Sequence, residues 1–191
     1  MRSPHIAALA SALLLTSAAA LSAQRVAERH GVWVGGGIGI GSARLSCEVC
    51  RIDRTGGTAG YLRAGATITK AVLVGLEATG WYHSKNDVDQ LLGSLQAVVL
   101  LYPKPTSGFY LKTGLGISQF SAKDNTDKVS SQALSGQVGV GYEVAMGRGL
   151  SIVPYANFLG STGGDVRFND TVSGLSANTS LLQFGVGLTL H

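Results

Sequence analysis

Residues 178–190, Asn-Thr-Ser-Leu-Leu-Gln-Phe-Gly-Val-Gly-Leu-Thr-Leu, alternate in the manner of a β-strand. Ser180, Leu182, Phe184, Val186, Leu188 and Leu190 fall on one face, and Thr179, Gln183, Gly185, Gly187 and Thr189 on the other, with Leu181 the one exception. A period of two sends successive side chains to opposite sides of a strand. Such a strand needs a partner on each side or a cover. A closed barrel supplies both partners.

Seven further stretches carry the same period, giving eight in all: 31–42, 58–69, 72–83, 90–102, 108–121, 132–146, 149–161 and 178–190. Each is long enough for the roughly 9 to 11 tilted residues that cross a bilayer, and bacterial membrane barrels have an even strand number. The connections alternate. Polar loops at 43–57, 84–89, 122–131 and 162–177 take turns with tight links at Lys70-Ala71, Pro103 to Ser107 and Gly147-Arg148. Long loops outside and short turns on the periplasmic side are the topology of outer-membrane barrels.

Composition points the same way. Charged residues make up 14% of the 191, against roughly 25% in soluble domains, while 27 glycines accompany 45% hydrophobic residues. The formal net charge of +4 is small and its charges are scattered, so nucleic acid, which needs a clustered basic face, is not an expected partner. Residues 1–23, with Arg2, an apolar alanine-rich run and small residues before Ala23, read as a secretory signal peptide rather than an anchor helix. Residues 24–30 then form a short periplasmic segment and 31–191 the barrel domain. No later stretch is apolar for the 18 or so residues of a membrane helix. Cys47 and Cys50 of an exported chain are disulfide candidates. A thioredoxin-type site would need a βαβ context and a zinc site two further ligands, and no cofactor or metal is expected.

Alternation alone leaves open which face meets lipid. One parity carries Val32, Val34, Ile38, Ile40, Leu62, Leu76, Leu95 and their like without a charge. The other carries Gly35, Gly37, Gly39, Gly65, Gly75, Gly114, Gly116, Gly139, Gly141, Gly185 and Gly187, with Ser94, Gln96, Thr67 and Thr79. A water-facing surface needs many charges, and an eight-stranded interior is just wide enough to be filled by side chains. Glycine rows therefore belong inside, where they leave space for large residues opposite. The facing of the seventh stretch stays open, because Pro154 and Tyr155 interrupt it and proline suits an edge or bulge.

Four charged residues fall on the lumen parity: Arg63, Glu77, Lys112 and Glu143. Arg63 and Glu77 are symmetric about the turn at Lys70, and Lys112 and Glu143 nearly so about the 122–131 loop, which predicts two acid–base pairs in one layer. A register-fixing polar plug and a gate that re-pairs to pass ions both fit. Trp81, Tyr82, Phe120, Tyr102, Phe109, Tyr110 and Tyr142 fall near strand ends, as interfacial girdles do. Lys70, Lys104 and Arg148 mark the short turns. Arg44, Arg51 and Arg54 cluster in the first loop, within reach of lipopolysaccharide phosphates, with Glu48 and Asp53 beside them.

Within the opening stretch, Gln183, Gly185, Leu188 and Leu190 resemble the signal by which outer-membrane barrels are recognised by the barrel-assembly machinery. Across its length after the signal peptide, the chain resembles small eight-stranded outer-membrane β-barrel proteins such as the transmembrane domain of outer membrane protein A. That resemblance implies an all-β, antiparallel, up-and-down transmembrane barrel in the bacterial outer membrane, porin-like in build. It also implies periplasmic termini, a monomer among outer-membrane lipids, and a lumen network of acids and bases. A structural, adhesive or surface-interaction role without catalysis is the leading expectation. A weak ion or small-solute channel, a lipid A-modifying enzyme and a secreted lipocalin-like barrel are the alternatives. For the enzyme the candidates are His83 and Ser84, which as strand neighbours point to opposite faces and lack an evident carboxylate.

Overall fold

In a computed structural model the described residues are 28–47, 54–85, 88–123, 128–147, 149–168 and 171–191. The signal peptide and Cys50 lie outside them. Nine hydrogen-bonded segments follow in order: β1 Val32–Cys47, β2 Thr55–Thr69, β3 Val72–Lys85, β4 Val88–Leu101, β5 Phe109–Lys123, β6 Lys128–Tyr142, β7 Val144–Gly147, β8 Leu150–Phe168 and β9 Thr171–Leu190. Sequence neighbours from β1 to β6 pair antiparallel, β6 pairs with β8, β8 with β9, and β9 returns to β1. The sheet is thus closed. β7 continues β6 along the same edge of β8, since Gly141 faces Tyr155 and Val144 faces Ile152 without a change of register. The ladder to β8 lapses at Glu143, beside Pro154, which has no N–H to give, while on the β5 side the Glu143 amide still donates to the Gly108 carbonyl (2.9 Å). Eight staves make the barrel.

The opening stretch closes it. β9 pairs with β1 from Val34↔Leu190 to Cys47↔Ala177, bringing Gly37 opposite Gly187 and Gly39 opposite Gly185. These glycines lie on the inner wall. A Cβ on Gly37 would meet the rings of Tyr61 and Tyr155, and one on Gly187 the Tyr61 hydroxyl. On neighbouring staves the Trp33 ring lies over Gly65, its register partner, and Gly75 beyond it, and the Tyr110 ring over its partner Gly141. Removing Cβ atoms from one wall thus lets aromatic rings fill a narrow lumen. Tyr155 and Val153 are buried and Pro154 exposed, so the seventh stave shares the common parity.

The outer face is apolar. Ile38 is 78% exposed, Leu115 75%, Leu134 74% and Leu62 72%. A surface so exposed and so free of charge suits lipid rather than water. Leu181, the break in the opening alternation, points into the lumen and is fully buried.

In places the structure departs from the boundaries read in the sequence. The β8–β9 ladder runs on to Phe168↔Thr171, and β5–β6 to Lys123↔Lys128, through segments read as loops. Hydrophobic alternation ends where the strands leave lipid, because both faces there meet water, but backbone pairing continues. Several expected girdle aromatics also point inward: Trp81, Phe120, Tyr102 and Tyr110 are buried, whereas Tyr82 and Phe109 are exposed. Parity decides this, since an inward position near a strand end still faces the lumen.

Candidate functional site in the barrel lumen

Three layers of side chains stack along the lumen. At the loop end, Ala43, Leu45, Ala59, Trp81, Leu92, Phe120, Leu159, Ala177 and Leu181 form one apolar cluster. Toward the short turns, Trp33, Leu73, Val98, Leu100, Tyr102, Tyr110 and Val153 form another. Between them lie buried polar groups from every stave but β1, among them Arg63, Glu77, Thr79, Gln96, Lys112, Gln137, Asn157 and Gln183.

Glu77 of β3 anchors the middle layer. Lys112 Nζ, reaching from β5, donates to its Oε1 at 2.6 Å, and the Thr79 hydroxyl donates to the same oxygen at 3.4 Å. Arg63 stands opposite Glu77 in the β2–β3 register. Its guanidinium turns elsewhere, with Nη1 donating to the Tyr110 hydroxyl (3.3 Å) and Nη2 to Thr189 Oγ1 (3.2 Å). It also lies 5.0 Å from the Tyr61 ring centroid, 5.3 Å from Tyr110 and 5.6 Å from Trp33, so aromatic faces share its charge. Gln96 Nε2 donates to Ser135 Oγ at 3.0 Å, two staves along, past Gly116 of β5.

Glu143 occupies a different level. The β5–β6 ladder ends at Lys123↔Lys128, a register that puts Lys112 opposite Gly139 and leaves Glu143 beside Gly108 at the turn end. Its Oε1 accepts the Tyr102 hydroxyl (2.6 Å) and lies 3.1 Å from His191 Nε2, while Oε2 accepts Arg29 Nε (3.1 Å). Arg29 also donates Nη1 to the Pro105 carbonyl (3.1 Å) and Nη2 to that of Ser107 (2.9 Å), and its guanidinium covers the Tyr102 ring at 3.5 Å. The expected pairs are therefore exchanged. Glu77 takes Lys112, and Glu143 takes Arg29 and His191, so the four charges form two levels rather than one layer.

Sequence reasoning missed Arg29, Tyr102 and His191 as partners. Arg29 precedes the first strand and His191 follows the last, where no alternation assigns a side. A buried acid at the turn end, needing donors from whatever closes that end, was the available signal. Of the other candidates, Gln183 and Gly185 face the lumen while Leu188 and Leu190 are exposed on the outer face. Cys47 ends β1 and its suggested partner Cys50 lies outside the described residues. His83 stacks on Trp81 (centroids 6.1 Å apart), and Ser84 is exposed on the opposite parity. Among the described residues, no three His, Cys, Asp or Glu side chains gather as a metal site.

Comparisons with known proteins follow the geometry. The family model described as an outer membrane protein beta-barrel domain matches residues 11–189. Among solved structures, Neisserial surface protein A superposes with a TM-score of 0.60 at 15% identity, covering 84% of this chain and 96% of that one. Ail, the attachment invasion locus protein of Yersinia pestis, gives 0.51 at 14% identity, covering 83% and 99%. Identities this low speak for a shared fold alone. Comparison with curated proteins gives no match.

Proposed function

Because the chain belongs to the outer membrane protein β-barrel domain family, whose place is the bacterial outer membrane, we propose that it serves there as a structural or surface-interaction barrel with a plugged lumen. The observation that carries this is the layering. Two apolar clusters lie in series around the Glu77–Lys112 pair, whose side chains are 0% and 1% exposed. An ion crossing such a lumen would shed its water twice and then meet a paired charge. Conductance of the refolded protein in planar bilayers tests the proposal. Silence is the expected result, and discrete steps that scale with salt would overturn it.

One observation favours the channel reading as the second choice. Buried lumen atoms including Tyr61 Oη, Arg63 Nε, Gln137 Nε2, Asn157 Nδ2 and Gln183 Nε2 have no protein partner, and such atoms call for water.

The orientation belongs to the same proposal. Short turns, with Arg29 and His191 beside them, face the periplasm, and the ladders that outrun the apolar band face outward. In this reading the barrel works as a monomer among lipids that include lipopolysaccharide, reaching the membrane through recognition of Gln183, Gly185, Leu188 and Leu190 by the assembly machinery. An adhesive role would rest on the outward ladders, as the name of the attachment invasion locus protein suggests for that barrel. It is a non-enzymatic reading, supported by the separation of His83 and Ser84 on opposite faces.

A further inference from the structure

Arg44 and Arg54 meet on the outer face of the barrel. On the β1–β9 ladder Arg44 stands opposite Ser180. Arg54, just before β2, donates Nη2 to Ser180 Oγ (3.4 Å) and Nη1 to the Ser42 carbonyl (3.0 Å). Ser42 and Arg44 share a parity with the exposed Ile38 and Ile40, so this patch faces away from the lumen. The serine opposite Arg44 in the sheet thereby holds the Arg54 guanidinium, which brings two arginines to one outward patch over three adjacent strands.

Nothing in the described protein offsets them. No carboxylate among the described residues forms an ion pair with either arginine. Arg44 Nε is covered, yet makes no hydrogen bond. Like charges held side by side on a sheet repel, and arginine cannot relieve the repulsion by losing its proton. An anion with several acceptor oxygens would relieve it, since planar guanidinium forks fit phosphate with paired hydrogen bonds.

Height selects the source of that anion. Below the patch the outward pairs turn apolar, first the mixed Ser42 with Leu182 and then Ile40 with Phe184. Arg44 lies two rungs beyond Ile40, roughly 10 Å along the axis of a strand tilted by about 40°. Starting from Ile40 in the apolar band, that rise carries the strand into the headgroup layer, roughly 5 to 7 Å thick on each side of the hydrocarbon core. We propose that Arg44 and Arg54 seat a phosphate of an outer-leaflet lipid headgroup, of the phosphorylated-sugar class that lipid A represents. The site rests on the proposed orientation, which places these loops outside.

The test compares the wild-type barrel with the Arg44→Gln/Arg54→Gln double variant, both refolded in detergent. Each is titrated with bisphosphorylated lipid A and with chemically dephosphorylated lipid A, and bound lipid is counted by native mass spectrometry. The wild type should hold the bisphosphorylated lipid roughly tenfold more tightly than the double variant, the scale of one charge-assisted hydrogen bond. The dephosphorylated lipid should bind both alike. Equal affinity of both proteins for the phosphorylated lipid overturns the site, as does an equal loss with the dephosphorylated one. Displacement by millimolar inorganic phosphate would overturn the lipid assignment in favour of free phosphate. Unchanged heat-modifiable migration of the variant shows that the barrel still folds. Absence of the chain from outer-membrane fractions would instead refute the proposed function, leaving the binding comparison intact.

Discussion

A Cβ on Gly65 would collide with the Val74 carbonyl oxygen, the Gly75 Cα and the Trp33 ring, whereas one on Gly80 would meet nothing within 4 Å. The two glycines sit on opposite faces of neighbouring strands, so they separate packing from propensity. Gly65→Val should destabilise the barrel by about 3 kcal/mol, as overpacking does, and Gly80→Ala should change it by less than ~0.5 kcal/mol. Urea unfolding in detergent, followed by heat-modifiable migration, distinguishes them. Glu77 supplies a second residue-scale prediction. Glu77→Gln leaves the Lys112 ammonium, whose side chain is 1% exposed, without its carboxylate at 2.6 Å, at a cost of about 3–5 kcal/mol. Adding Lys112→Met should recover most of that loss, because the buried charge then disappears with its partner. If the double variant unfolds as readily as the single one, the pair does not carry the coupling assigned to it.

Each hairpin decides how far its register can be read from sequence. The β2–β3 turn occupies Lys70-Ala71 and pairs Thr69 with Val72, and a one-residue shift of register between Thr67 and Thr69 then centres the ladder on Lys70, which sets Arg63 opposite Glu77. The centre of the β5–β6 hairpin was hidden in a polar segment, and the register of its ladder, Lys123 opposite Lys128, sets Gly139 rather than Glu143 across from Lys112. Periodicity finds a strand while lipid covers one face, and it loses the strand once both faces are wet. The β3–β4 hairpin end shows what holds such a wet ladder. Asp89, opposite Ser84, has its carboxyl held below the usual aspartate range by hydrogen bonds from the Ser84 and then the Tyr82 hydroxyls, the latter at 2.9 Å. A depressed carboxyl stabilises above its unfolded pKa, and that contribution is lost as pH falls through the folded value. The protection factors of amides at this hairpin end should therefore fall on acidification, and Tyr82→Phe should shift the transition to higher pH. An NMR titration of the Asp89 carboxyl that is the same in both proteins would reject this account.

At the scale of the whole molecule, the barrel is an interior turned toward side chains and an exterior turned toward lipid. The sequence carried that inversion in its glycines. A row such as Gly35, Gly37 and Gly39 has little use on a wet surface, and a clear one inside, where Gly37 lies against the rings of Tyr61 and Tyr155 and Gly35 against Arg63. What it did not carry was the closure of the turn end, where Arg29 and His191, lying outside every strand, converge on Glu143. The nature of the solvent outside the barrel remains the deciding variable, and it gives the last prediction. Ile38 and Leu115 are 78% and 75% exposed. In a water-facing barrel, lysine at either position would be neutral or would improve solubility. In lipid, Ile38→Lys and Leu115→Lys should each cost about 2–4 kcal/mol if they lie near the midplane, with less cost toward the interfaces. Lysine at Tyr82, near the outer rim, should cost under ~1 kcal/mol by the same depth dependence. Equilibrium unfolding from phospholipid vesicles measures all three. A ranking in which the two midwall variants are as stable as the rim variant would mean that water, and not hydrocarbon, covers this wall.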